Sequence, residues 1–177
     1  MSINYTIANY LAAGVPAAKL MVGIPLYGHT WFNPTLGSGS AWARLGSPAQ
    51  VQGKWCGPFA TTSGAAPGQG SSLCGTMMLS EVSAANATLS ALDAATASAI
   101  AYLATEGADG HTAAGTWVPY NDVDSMRAIV AYAKAHGLGG VFAFDSSMDT
   151  MDGSGAFTYT AMNAIADALG RPAAVRS

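Results

Sequence analysis

The chain has 177 residues, enough for one domain or two small ones. Half of them are apolar and a tenth charged, a composition that folds around a core and excludes a disordered chain. The formal net charge is −3 with no basic cluster, which excludes the usual electrostatic footprint for nucleic acid or an anionic membrane.

No apolar run approaches the roughly 20 residues of a membrane span. Ser2–Tyr10 has neither the basic nor the apolar region of a secretory signal. Residues 2–13 read as a helix, with Ile3, Ile7, Tyr10 and Leu11 on one face. Gly14 ends it and Pro16 prevents its resumption. Leu20 to Leu26 is a short apolar run, the pattern of a parallel strand buried on both faces. From Trp31 to Gly75, Gly, Ser, Pro and Gln dominate, with Trp42, Trp55 and Phe59 scattered among them. This is turn-rich folded structure, because linkers rarely carry so many aromatics. Met77–Val82 fits a strand or the start of a helix, and Ala84–Ala97 is ambiguous. Ala99–Thr105 alternates, Glu106–Gly115 reads as a loop, and Thr116–Tyr120 as a strand.

The last third is clearer. Asp122 caps a helix whose buried stripe is Val123, Met126, Ile129, Val130 and Ala133. Lys134 and His136 fall in its last turn, where positive charge suits the helix dipole, and Gly137 ends it. Gly139–Phe144 is a second apolar strand. A final helix covers about Thr158–Leu169, buried through Met162, Ile165 and Leu169, and is stopped by Gly170 and Pro172. Helices alternating with buried strands indicate parallel α/β units around a mixed α+β middle segment.

Cys56 and Cys74 match no CxxC metal or redox spacing, and no histidine lies near either. The pair reads as a disulfide clipping a surface loop of an exported protein, with two free thiols as the alternative. Asp145, Asp149 and Asp152 do not have the spacing of a Ca²⁺ loop and read as a solvated acidic loop. No metal and no cofactor are expected. Asn4-Tyr5-Thr6 and Asn86-Ala87-Thr88 are glycosylation triplets of a kind common by chance.

Four stretches carry a resemblance. Residues 14–31, GVPAAKLMVGIPLYGHTW, contain a G-I-P-L-Y-G strand end. Ala66-Pro67-Gly68-Gln69-Gly70 is followed by Gly75 and by Met78-Leu79-Ser80-Glu81-Val82. Trp117-Val118-Pro119-Tyr120-Asn121-Asp122 precedes the large helix, and GLGGVFAFD spans residues 137–145. In this order and spacing they resemble the family 18 glycoside hydrolases, the chitinases and their inactive lectin-like relatives. The resemblance implies an α/β fold: a partial (β/α)8 TIM barrel, comprising the last two strands and their helices, with an α+β insertion domain. Its segments would be a barrel piece at 1–31, the insertion-type domain at 32–116 and a second barrel piece at 117–177.

The implied chemistry is substrate-assisted, retaining hydrolysis of β-1,4-linked N-acetylglucosamine polymers, in which the substrate's own N-acetyl carbonyl is the nucleophile. The family's D-x-x-D-x-D-x-E, which ends in the general acid, and its M-x-Y-D do not occur in residues 1–177. No catalytic residue is therefore assigned, and residues 1–177 alone are expected to hydrolyse no glycoside. The alternatives are an inactive, lectin-like chitin-binding protein or a truncated fragment without function.

The resemblance also implies a set of substrate-binding residues. Tyr27 matches a tyrosine that lines the sugar site at the C-terminal face of the barrel. His29 stands where the family usually carries arginine and lacks that residue's donor fork. Glu81 matches an insertion-domain glutamate that contacts substrate, a solvated surface acid being the plainer reading. Phe144 replaces a tryptophan that floors the sugar site, keeping an apolar face and losing the N–H; core packing is its alternative. Trp117, Tyr120 and Asp122 fall on signature positions, with Trp117 a further substrate-binding candidate. Trp31, Trp42 and Trp55 read as core or loop anchors, with stacking on sugars as the alternative. The implied partners are chitin or N-acetylglucosamine oligosaccharides. Two strands with open edges further imply self-association, and a full-length parent would be secreted.

Overall fold

The computed structural model describes residues 3–32, 47–48, 76–85, 89–93, 98–103, 105 and 114–172. In chain order its elements are α1 (Ile3–Ala12), β1 (Met21–Pro25), β2 (Tyr27–His29), β3 (Trp31–Phe32), β4 (Ser47–Pro48) and β5 (Thr76–Met78), followed by α2 (Leu79–Ala85), β6 (Leu89–Asp93), β7 (Ser98–Tyr102), β8 (Thr116–Tyr120), α3 (Val123–Ala135), β9 (Gly140–Phe144) and α4 (Thr160–Ala168). Short 3-10 turns lie at Ala17–Lys19 and Ser146–Met148. The chain divides into two compact units. One comprises Met1–Leu26, Asp93–Ser98 and Asn121–Ser177; the other comprises Tyr27–Leu92 and Ala99–Tyr120.

The first unit is built on β1 and β9, which pair in parallel from Met21↔Gly140 to Pro25↔Phe144. Parallel neighbours need a long crossover, and the chain leaves the unit and returns between them. Val22 and Ile24 are buried on β1. Helix α3 packs on both strands and on α4; of its expected stripe Met126, Ile129, Val130 and Ala133 are buried and Val123 is half-buried, while α4 buries Ala161, Ala164 and Ile165, the expected Met162 and Leu169 being only half-buried. Full burial of a Val, Ile or Met side chain of this kind stabilises the unit by about 1.5–3 kcal/mol, and of an alanine methyl by less. The expected burial of β1 on both faces is half realised. Met21 is 53 % exposed, and on the same face of the pair Phe142 is 48 % and Phe144 55 % exposed. The apolar run marks a parallel strand correctly, but the helices within this unit cover one face of it.

The helix ends follow the sequence signals. Asp122 accepts hydrogen bonds from the Ser125 N–H at 2.8 Å and the Ser125 hydroxyl at 2.7 Å, capping α3. Helices α1, α3 and α4 all end in a Schellman arrangement. The amides of Gly14, Gly137 and Gly170 donate to the carbonyls of Leu11, Lys134 and Asp167, and those of Val15, Leu138 and Arg171 to Tyr10, Ala133 and Ala166. The three glycines take φ of +85°, +59° and +74°, a region costly for any residue with a Cβ. Lys134 acts across helices rather than on its own dipole, since its Nζ donates to the Ala168 carbonyl at the end of α4 at 2.6 Å.

The second unit is antiparallel. Its five-stranded sheet has the order β4-β3-β8-β7-β6, and β2 pairs with β5 in a separate ribbon. The ambiguous stretch after Met77 is both elements in turn: strand to Met78, then helix from Leu79. Met77, Val82, Ala85, Ala101, Leu103 and Val118 form the core, with Tyr120 packed against it. Gly28 lies so close to β8 that a Cβ there would sit 2.4 Å from the Pro119 carbonyl oxygen and 2.5 Å from a Val118 methyl. Only glycine lets the ribbon approach the sheet this closely. Cys56, Cys74, Trp42, Trp55, Phe59 and the Asn86-Ala87-Thr88 triplet lie outside the described residues.

Candidate functional site

In the first unit, the candidate surface is the C-terminal end of the parallel pair. Phe144 is the last residue of β9, faces Pro25 in register and is 55 % exposed. Its backbone is held firmly. The Phe144 carbonyl accepts the Leu26 N–H at 2.9 Å, and the Asn121 side-chain amide donates to the Pro25 carbonyl at 3.3 Å. The Phe144–Asp145 peptide is cis. Among residues 1–177 the Phe144 ring lies at the surface. A depression of about 420 Å³ lies at the opposite ends of the same strands, lined by Met21, Lys134, Gly140, Leu169 and Arg171, away from Phe144.

In the second unit, alternation along β2 puts Tyr27 and His29 on one face, with Gly28 buried between them. The two rings meet edge to face, 5.7 Å between centroids at 78°. The Thr76 hydroxyl lies 3.4 Å from His29 Nδ1, and Thr76 is the register partner of His29 on β5. Tyr27 is half-buried and His29 exposed, so the pair offers an aromatic edge, a phenol and an imidazole to solvent.

Glu81 lies in the first turn of α2. Its Oε2 accepts the Met78 N–H at 2.8 Å at the start of α2. Trp117 is 4 % exposed in β8, between Trp31 of β3 and Tyr102 of β7 in register.

The three aspartates expected to form a solvated loop separate into different roles. Asp149 is fully buried. Its Oδ1 accepts the Thr150 and Ala161 amides at 2.6 and 3.0 Å, and its Oδ2 the Met162 amide at 2.9 Å. The carboxylate thus caps α4, whose own N-cap, Tyr159, is left-handed and makes no side-chain cap. Sequence reasoning missed this because the cap comes from a residue far outside the usual N-cap position. Asp145 accepts the Ser147 amide at 2.9 Å and also binds the Ser147 hydroxyl. Asp152 closes a tight turn, accepting the Ser154 hydroxyl at 2.6 Å, the Ser154 amide at 2.8 Å and the Ala156 amide at 3.0 Å. The Ser154 hydroxyl, followed by those amides, holds its carboxyl below the usual carboxylate range. Among the described residues no cluster of three or more His, Cys, Asp or Glu is placed to hold a metal ion. No helix among them is long and apolar enough to cross a membrane.

A parallel strand pair is interrupted in the sequence by an antiparallel unit. The chain belongs to the glycosyl hydrolases family 18, whose family model matches residues 1–149. It is 30 % identical over 155 residues to the chitinase-like protein Idgf3 of Drosophila simulans, covering 86 % of this chain and 34 % of that protein. It is 28 % identical over 144 residues to the class V chitinase CHIT5 of Lotus japonicus, covering 80 % and 29 %. The chain therefore spans about a third of the length of the curated relatives it matches.

Among solved structures, human YKL-39, described as a pseudo-chitinase with retained chitooligosaccharide binding properties, matches with a TM-score of 0.63 at 24 % identity over 95 % of this chain and 40 % of that one. A GH18 chitinase from Cycas revoluta in complex with (GlcNAc)3 matches with a TM-score of 0.51 at 29 % identity, covering 81 % and 33 %. These likenesses identify the fold as that of the chitinase-type TIM barrel, of which this chain forms a mixed α/β part.

Proposed function

We propose that this chain is the C-terminal part of a secreted chitinase-like protein and binds β-1,4-linked N-acetylglucosamine oligosaccharides. The first unit carries the last two barrel strands, and the second holds most of the insertion-type domain at 32–116. Phe144 is the ligand-facing ring of the first unit, and Tyr27 with His29 the ligand-facing group of the second. The observation that carries the reading is Phe144: a large apolar ring, 55 % exposed, fixed at the C-terminal end of a parallel strand in a family 18 chain. An exposed phenyl gains by stacking on the apolar face of a pyranose ring. Trp117, buried in its sheet, is assigned to packing, and Cys56 and Cys74 to a loop-clipping disulfide.

In a complete barrel the reaction would be substrate-assisted, retaining hydrolysis, with the general acid contributed by sequence outside residues 1–177. The binding test is a calorimetric titration of residues 1–177 with chitotriose. Binding is expected, weakened about fivefold to tenfold by Phe144→Ala, the loss of one aromatic contact, and restored by Phe144→Trp. Absence of binding by the unaltered chain, or indifference to Phe144→Ala, overturns the reading.

The second reading is an inactive, lectin-like binder. The departures at His29 and Phe144 favour it, since each gives up donors that the family usually brings to the sugar. A Gln or Leu in place of the acid in the parent sequence decides for the lectin, a Glu for the hydrolase.

A further inference from the structure

Glu81 stands three residues beyond Met78, and α2 begins at Leu79. Met78 is therefore the N-cap and Glu81 the third helical residue. The 2.8 Å bond from the Met78 N–H to Glu81 Oε2 is one half of a capping box. The reciprocal half is missing, because the thioether of Met78 is at best a weak acceptor. Met78 is also the last residue of β5 and the register partner of Tyr27. The same amide thus lies where the β2–β5 ribbon ends and α2 starts. Helix α2 is anchored in turn, with Leu79, Val82 and Ala85 buried, and Val82 and Ala85 sharing a core with Met77. The carboxylate ties the end of the ribbon to a helix that the core holds still.

We propose that Glu81 is a positioning residue: its carboxylate fixes Met78, and through the Met78–Tyr27 pairing it fixes the ring of Tyr27, instead of contacting the sugar itself. The proposal rests on the reading of Tyr27 as ligand-facing. Glu81→Gln keeps an acceptor at the same reach, and Glu81→Ala removes it. The experiment compares both with the unaltered 1–177 chain in two measurements: amide hydrogen exchange along the β2–β5 ladder, and affinity for chitotriose.

Glu81→Ala is expected to speed ladder exchange and to weaken chitotriose binding, each by about fivefold to tenfold, as for the loss of one cap. Glu81→Gln is expected to match the unaltered chain in both. Unchanged ladder exchange in Glu81→Ala overturns the proposal. So does weakened binding by Glu81→Gln with an intact ladder, which would mean direct contact by the carboxylate. Should Glu81→Ala fail to fold, Glu81→Gln still separates the two roles. Should the unaltered chain bind no chitotriose, the ligand reading fails, and the exchange measurement alone decides whether Glu81 holds the ribbon.

Discussion

The two units bury their apolar surface in different ways. The first unit exposes the large hydrophobic side chains of Ile3, Tyr5, Tyr10, Met21, Phe142, Phe144, Met151 and Phe157. In the second unit Met77, Val82, Ala85, Ala101, Leu103 and Val118 share one buried core, with Tyr120 packed against it. A two-stranded parallel sheet covered by helices on one face leaves an apolar face and two edges free, whereas an antiparallel sheet is completed by local hairpins. The residues proposed to face the ligand differ accordingly. Phe144 sits on the open face of its unit, and Tyr27 on a ribbon whose other side is already packed.

The largest effect expected from this contrast is self-association of residues 1–177 through the first unit. Sedimentation at rising concentration should show oligomers that Phe142→Ser reduces; a sharp monomer throughout breaks the comparison. Next comes Asp149→Ala, which strips the amides of Ala161 and Met162 of a buried charged acceptor and should cost about 2–3 kcal/mol by urea denaturation followed by circular dichroism. A loss under 0.5 kcal/mol, within the range of an ordinary surface change, would mean that the cap carries no weight.

Gly28→Ala should destabilise the second unit by about 1–3 kcal/mol, since the ribbon must move off Pro119 to admit a methyl. All four tryptophans, Trp31, Trp42, Trp55 and Trp117, lie in that unit, so its fluorescence transition should shift. A transition that stays in place would show that the close approach is not tight. The smallest effect belongs to Ser154→Ala, which should raise the titration midpoint of Asp152 read by carboxyl NMR. With its carboxyl depressed in the folded chain, Asp152 favours folding above its unfolded pKa, and this contribution is lost as pH falls through the folded value. For a fully exposed group that contribution is small, and a midpoint unmoved by the substitution would contradict the assigned cause.

What the sequence made legible was local. Asp122 before a periodic run, the glycines after α1, α3 and α4, and the apolar runs of β1 and β9 each signal their element within a few residues. The parts that stayed hidden depend on partners distant in the chain or on an incomplete motif. Asp149 caps α4 from outside the usual position, so no spacing rule finds it. Glu81 makes only half a capping box, and with Met78 at the N-cap the Ser/Thr that advertises one is missing. Lys134 sits where dipole reasoning puts a cation, yet its ammonium reaches a carbonyl of a different helix. The exposure of Met21 and Phe142 was hidden for another reason: an apolar run marks a strand able to be buried on both faces, while the cover on each face depends on what packs there.

Residues 1–177 are proposed to supply ligand-facing side chains of a family 18 protein without its general acid. Hydrolysis of a fluorogenic chitotrioside by the purified chain tests this proposal most directly. The account predicts no turnover above background in a preparation that still binds chitotriose. Turnover abolished by changing Glu81, Asp145 or Asp149 would place an acid within this chain and contradict it.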